Sequence, residues 1–265
     1  MPDIATLCTD LAAEQAELDG FLGRLSPDQW STLTPAPGWT VQHQLAHLDF
    51  FDGAAIRAAN DPDAFALDLA AANEDSDAYH REGLREGLAL APGALLDRWR
   101  ERRARFQEIF RDLDPATRVP WFGPPMSVAS KVTARLMETW AHGQDVVDTL
   151  GVDRAPTARL RHVAHIGVRA RPYSYLVRDQ DPPENDVRVD LVGPADEHWT
   201  WGDPDATDRV AGSALDFCLV VTRRRHLADT RLSVSGEAAE EWISIAQSFA
   251  GDPGPGREAG QFPRT

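Results

Sequence analysis

The sequence predicts a chain of class α plus α+β: an N-terminal four-helix bundle followed by a smaller C-terminal α+β domain. Three observations carry that expectation. Apolar residues recur at helical spacing from Ile4 to Leu150. Alternation with period two begins only at Val187. The grammar shifts at Asp181-Pro182-Pro183, and from Gly251 onward Gly, Pro and charge dominate. The expected division is 1–152 for the bundle, 153–250 for the α+β domain and 251–265 for a loosely ordered or wrapping tail.

The elements follow in order. Leu7, Leu11, Leu18, Leu22 and Leu25 mark one face of a first helix. Ser26-Pro27 opens a short helix, with Pro at its first helical position. After the break at Pro35-Ala36-Pro37-Gly38, Thr40 is the expected N-cap of a helix reaching about Ala59. Ala66 to Leu90 has helical composition. Leu95, Leu96, Trp99, Phe106 and Phe110 line a helix that starts near Pro92. A second break at Trp121-Phe122-Gly123-Pro124-Pro125 precedes the clearest helix, from about Ser127 to Leu150. Four long helices of this kind make a bundle with added short helices. Thr157 to Val177 also reads as helix. Val187 to Val192 and His198 to Trp201 read as a β-hairpin, Ser213 to His226 as helix, Arg231 to Val234 as a short strand and Glu237 to Phe249 as a closing helix.

Composition narrows the function classes. Over 265 residues, 42 acidic side chains stand against 27 basic ones, a formal net charge of -15. A field of that sign repels phosphate backbones and anionic lipid, so neither nucleic acid nor a membrane surface is an expected partner. No apolar run reaches membrane-spanning length and no basic-then-apolar leader opens the chain, so a cytoplasmic protein is expected. Cys8 and Cys218 are too few for a disulfide framework or a CxxC metal motif, and each reads as a buried free thiol. Oligomeric state is not legible.

The residues that carry chemistry lie in the bundle. Glu138 and His142 are four apart, so a carboxylate and an imidazole share one helix face and both reach one ion. The same spacing also suits a solvated surface pair. The neighbours Met137, Trp140, Ala141 and Val146 argue for burial, and a buried polar pair requires partners. A third donor is found in the earlier helix. His43 and His47 are again four apart, and His47 lies among Leu45, Ala46, Leu48 and Phe50 while His43 lies between two glutamines. Two helices projecting ligands inward make a three-ligand centre of His47, Glu138 and His142. That donor set suits Zn²⁺ with an open fourth position and equally suits Fe²⁺. Asp145 is either an orienting partner for the His142 ring or a surface ion-pair member.

The motifs Gly38-Trp39-Thr40-Val41, Ala46-His47-Leu48 and Ala134-Arg135-Leu136-Met137-Glu138-Thr139-Trp140-Ala141-His142-Gly143-Gln144-Asp145 resemble those of the DinB-like metal-binding bundle proteins. Within these they are most similar to the actinobacterial branch that includes the mycothiol-dependent maleylpyruvate isomerases. The resemblance covers the bundle well and the remainder loosely. It implies one His ligand on the second helix and a Glu plus His on the fourth, which fall on His47, Glu138 and His142. It also implies zinc as the metal and mycothiol as a thiol cofactor acting on a small electrophilic substrate. The family carries an arginine after an apolar run in its second domain. Here Thr222 and Arg223-Arg224-Arg225 stand in place of the usual Gly-Arg, and Arg224 is the residue taken as the substrate- or cofactor-gripping group. The same basic run also suits a solvated helix end.

The leading expectation is therefore a metal- and thiol-dependent isomerase or S-transferase acting on a small unsaturated molecule. A zinc hydrolase or lyase using metal-bound water is the alternative, with Asp49 and Asp52 as candidate bases. A non-catalytic metal-binding module is the third reading, supported if His43 closes the fourth position. Trp121, Trp140, Trp199 and Trp201 are candidate pocket walls or core.

Overall fold

Asp3 starts the first helix by accepting a hydrogen bond from Thr6 N at 2.9 Å, which satisfies one of the orphan donors of a helix start. The same device recurs through the computed structural model, which describes residues 3–262. Helix α1 spans Ile4–Leu22, α2 Pro27–Trp30, α3 Val41–Asn60, α4 Pro62–Glu74, α5 Ser76–Leu88 and α6 Pro92–Phe110. Strands β1 (Arg118–Trp121) and β2 (Gly123–Ser127) precede α7 (Val128–Leu150). Thr40 caps α3 and Ser127 caps α7 through their hydroxyls. Helical composition from Ala66 to Leu90 conceals a break: Asp75 ends α4 and caps α5, accepting from Ala78 N at 2.8 Å. The break expected at 121–125 is instead an antiparallel hairpin of β1 on β2. Two prolines in β2 weaken the strand signal, and an edge position tolerates them.

The chain folds as two compact units, Met1–Asp153 and Arg154–Thr265. In the first, α1, α3, α6 and α7 are the long helices of a bundle, with Leu18, Leu22, Leu45, Leu95, Leu96 and Trp99 in one contiguous core cluster. Helix α5 lies unusually close to α3. A Cβ added at Gly83 would stand 2.2 Å from the Phe50 ring, and one at Gly87 2.8 Å from Ala46 Cβ, so only glycine admits this approach.

Charged groups are also buried between these helices, each held by partners. Arg135 Nε donates to Asp52 Oδ1 at 2.9 Å and Arg135 Nη2 to Leu48 O at 3.2 Å, while Trp99 Nε1 donates to Asp52 Oδ2 at 3.0 Å. Asp49 accepts from Arg98 at 2.5 Å and Arg102 at 2.7 Å. Asp49 and Asp52 are each 0% exposed. They are therefore neither surface carboxylates nor available bases; they lock α3 to α6 and α7. Lys131 is the exception to this pairing. Its ammonium sits over the Trp121 ring and is otherwise without a hydrogen-bond partner. The ring face attracts a cation, yet burial, with Arg135 nearby, pushes Lys131 down to about 5. Between that value and the ordinary lysine range the unfolded chain holds one proton more, so stability should rise with pH across that window. Lys131→Met is expected to remove the slope and to raise unfolding free energy at pH 7 by on the order of 2–4 kcal/mol. Urea unfolding curves at several pH values check this.

The second unit begins with α8 (Leu160–Arg169) and α9 (Arg171–Leu176). Strands β3 (Val187–Val192), β4 (His198–Trp201), β5 (Asp208–Ser213) and β6 (Ser233–Ser235) form one sheet in the order β4-β3-β5-β6. The β3–β4 hairpin pairs as the alternation predicts, whereas β5, unmarked in the sequence, runs parallel to β3. Helices α10 (Ala214–Val221) and α11 (Glu237–Ile245) complete the unit. The helix expected over Ser213 to His226 stops at Val221, because Thr222 caps it and Arg223 turns into the left-handed region at φ 59. Asp208 accepts from Ala238 N and Ala239 N, fixing the start of α11. Residues 251–262 of the expected tail lie over this unit, with Gly260 N donating to Asp229 at 2.8 Å and Arg225 over the Phe262 ring. Residues 263–265 of that tail fall outside the described part.

Candidate metal centre

Helix α7 is buried along most of its length, so the polar side chains on its inner face must find partners inside the bundle. Glu138 and His142, one turn apart on that face, meet His47 from α3. Glu138 Oε2 lies 3.2 Å from His47 Nε2 and 3.2 Å from His142 Nε2. Among the described residues these three form the only group of His, Cys, Asp or Glu whose ligand atoms all lie within 4.8 Å of one another. Tetrahedral bonds of about 2.0–2.1 Å place neighbouring donor atoms roughly 3.3 Å apart, so both Glu138–imidazole separations are those one small divalent cation needs. Burial would raise the Glu138 carboxyl, but hydrogen bonds from His142 and His47 hold it well below the usual carboxylate range. At neutral pH it is therefore an anion.

The rings around the triad fix its orientation. Trp39 stacks on His142 at 5.9 Å and packs on His47 at 5.5 Å, and Phe51 lies 4.6 Å from His47. The second nitrogen of His142, Nδ1, meets Gln44 Oε1 at 2.5 Å. Gln44 is itself buried, and its amide nitrogen donates to Thr34 Oγ1 at 2.8 Å, which fixes which end of the amide faces His142. A partner of this kind sets the tautomer and leaves Nε2 as the donor atom toward a cation. Asp145 was the sequence candidate for this task; the neighbouring helix supplies Gln44 instead. The signal was available, since Gln44 precedes His47 by three residues and so shares its helix face. His43 serves otherwise. Its Nδ1 meets Thr40 N at 3.2 Å and Thr40 Oγ1 at 2.8 Å in a capping box at the start of α3.

Neither cysteine is near enough to the triad to join a ligand group. Both are 0% exposed, and burial pushes the Cys8 thiol up to about 11 and Cys218 well above its ordinary value. A disulfide reagent at pH 8 is therefore expected to find no reactive thiol in the folded chain and two per chain after denaturation, read by absorbance. Of the tryptophans, the half-buried Trp121 packs with Phe51 and the fully buried Phe65, while Trp140 and Trp199 are core. Arg224 lies in the second unit, in the turn after α10, where its Nη1 donates to Thr222 O at 2.7 Å. Arg223 and Arg225, with Arg257 and His226, line a small recess of that unit.

Residues 11–147 match the family described as the mycothiol maleylpyruvate isomerase N-terminal domain. Two uncharacterised proteins of Mycobacterium tuberculosis, from strains CDC 1551 / Oshkosh and ATCC 25618 / H37Rv, are each 46% identical over 257 residues, 97% of this chain and 100% of theirs. The crystal structure of the mycothiol-dependent maleylpyruvate isomerase superposes with a TM-score of 0.58 at 17% identity, covering 85% of this chain and 90% of that one. A histidine-to-alanine mutant of that isomerase gives 0.57 at 15% identity over the same shares. At such identity these likenesses speak for the fold. No helix among the described residues is long and apolar enough to cross a membrane.

Proposed function

The chain belongs to the mycothiol maleylpyruvate isomerase family through its N-terminal domain, and from that membership we propose a metal-dependent enzyme that uses a low-molecular-weight thiol, mycothiol, on a small unsaturated electrophile. The reaction is isomerisation of the substrate or thiol transfer to it. One observation carries the proposal: two imidazoles and one carboxylate converge with the spacing of a single divalent cation, and no fourth His, Cys, Asp or Glu among the described residues closes the group. His47, Glu138 and His142 would hold the cation, with zinc the first choice and Fe²⁺ compatible with the same donors. A cation held there would supply positive charge that favours the deprotonated form of a thiol near neutral pH, the nucleophile such chemistry needs.

The chain's own residues do the rest. Glu138 stays ionised and neutralises one positive charge. Gln44 holds His142 in one tautomer, and Trp39 covers both imidazoles from one side. Burial makes Cys8 and Cys218 unfit as nucleophiles, which supports a thiol arriving from outside the chain. Arg224 is proposed to bind a carboxylate of the substrate or thiol cofactor. A hydrolytic role is the weaker reading, because Asp49 and Asp52 are committed to arginines.

The test is turnover of maleylpyruvate by zinc-loaded protein with and without mycothiol. Turnover is expected only when both are present. Equal turnover in thiol-free buffer would refute the proposal.

A further inference from the structure

Beside the triad the bundle places a histidine that the reading above leaves unused. His80, on α5, is enclosed by rings: Phe51 at 5.4 Å, Phe122 at 5.4 Å and Phe50 at 6.1 Å. Phe51 also packs on His47 at 4.6 Å, so a single ring separates His80 from a ligand of the candidate centre. The His80 Nδ1 lies 3.3 Å from Ser76 Oγ, which lets the serine hydroxyl donate to it. With that hydroxyl assigned as the donor, the neutral ring carries its proton on Nε2. That nitrogen is buried and has no hydrogen-bond partner. An unmet buried donor costs about 1–3 kcal/mol, and the fold holds this one in place through the close glycine contact of α5 on Phe50. Burial lowers His80, so the ring is neutral at neutral pH.

We propose that His80 Nε2 is the hydrogen-bond donor for a carboxylate or carbonyl of a planar unsaturated acid bound beside the triad, with Phe51 and Phe122 packed against its plane. Aromatic faces pack against flat conjugated groups, and a single polar atom among them orients such a group. The assignment rests on the triad being a metal centre. It adds a substrate-positioning residue, supplied by the short helix α5 rather than by either ligand-bearing helix.

The experiment titrates maleate, a planar unsaturated dicarboxylate, into zinc-loaded wild type and into His80→Phe and His80→Gln, by calorimetry, with zinc content measured in each. His80→Phe keeps the ring packing and loses the donor; His80→Gln keeps a donor and loses the ring. Expected are equal zinc contents, maleate affinity weakened about tenfold in His80→Phe, and affinity within about threefold of wild type in His80→Gln. The reverse order of the two variants, or wild-type affinity in His80→Phe with zinc retained, overturns the His80 assignment alone. Wild-type protein that binds zinc but no maleate overturns the substrate class. A wild-type chain that takes up no zinc overturns the metal reading and this proposal with it.

Discussion

Zinc is expected to bind the His47→Ala variant at least about a hundredfold more weakly than the wild-type chain. Structural zinc sites with four protein ligands are worth about 10–16 kcal/mol, or roughly 3 kcal/mol or more for each ligand. Here each of three ligands carries a larger share, because no fourth His, Cys, Asp or Glu among the described residues joins the group to replace one that is lost. Gln44→Ala should cost less, about 10- to 100-fold, since it frees the His142 ring without removing a ligand. His43→Ala should leave zinc affinity unchanged and instead loosen the start of α3, because its nitrogen is spent on Thr40. Competition with a chromophoric chelator ranks the three variants, and equal affinities in His47→Ala and wild type would remove the centre. The acid side follows from the same geometry. Glu138 is already held as an anion well below the usual carboxylate range, so acidification through that range is not expected to release metal by protonating it.

Asp52→Ala should lower the unfolding free energy by about 3–5 kcal/mol, the expected cost of leaving a buried charge without its partner. Arg135 is 3% exposed and would keep only its bond to the Leu48 carbonyl, while Trp99 Nε1 would lose its acceptor. The contrast is Glu82→Ala, which breaks an exposed pair with Arg85 at the surface and should leave stability nearly unchanged. Chemical unfolding of both variants in metal-free buffer separates this effect from any loss of bound cation. An Asp52→Ala chain as stable as wild type would mean that the buried pair contributes nothing net. Such destabilisation would also reach the candidate centre, because Asp52 and His47 share α3 while Arg135 and Glu138 share α7.

What the sequence determined by itself is local. Helix positions follow from apolar spacing and from capping residues, so Thr40, Ser127 and Pro92 mark true starts. The Glu138–His142 pair was equally legible, because four residues on a helix place two side chains on one face whatever surrounds them. The pairing of β3 with β4 followed from alternation joined by a short turn. Other features needed the folded chain. Strand β5 pairs parallel to β3 across an intervening strand, and such register is set by contacts distant in sequence. The prolines of β2 hid a hairpin whose edge position made them harmless. Asp49 and Asp52 read as candidate bases, and only packing shows that arginines from α6 and α7 engage them. The family resemblance pointed to His47 as third ligand, but only the crossing of α3 and α7 brings its Nε2 to Glu138, gives Gln44 to His142 and sets His80 one ring away. Spacing along one element is written in the chain; which faces of separate elements meet is decided by packing, where burial leaves each polar group only the partners that tertiary contact supplies.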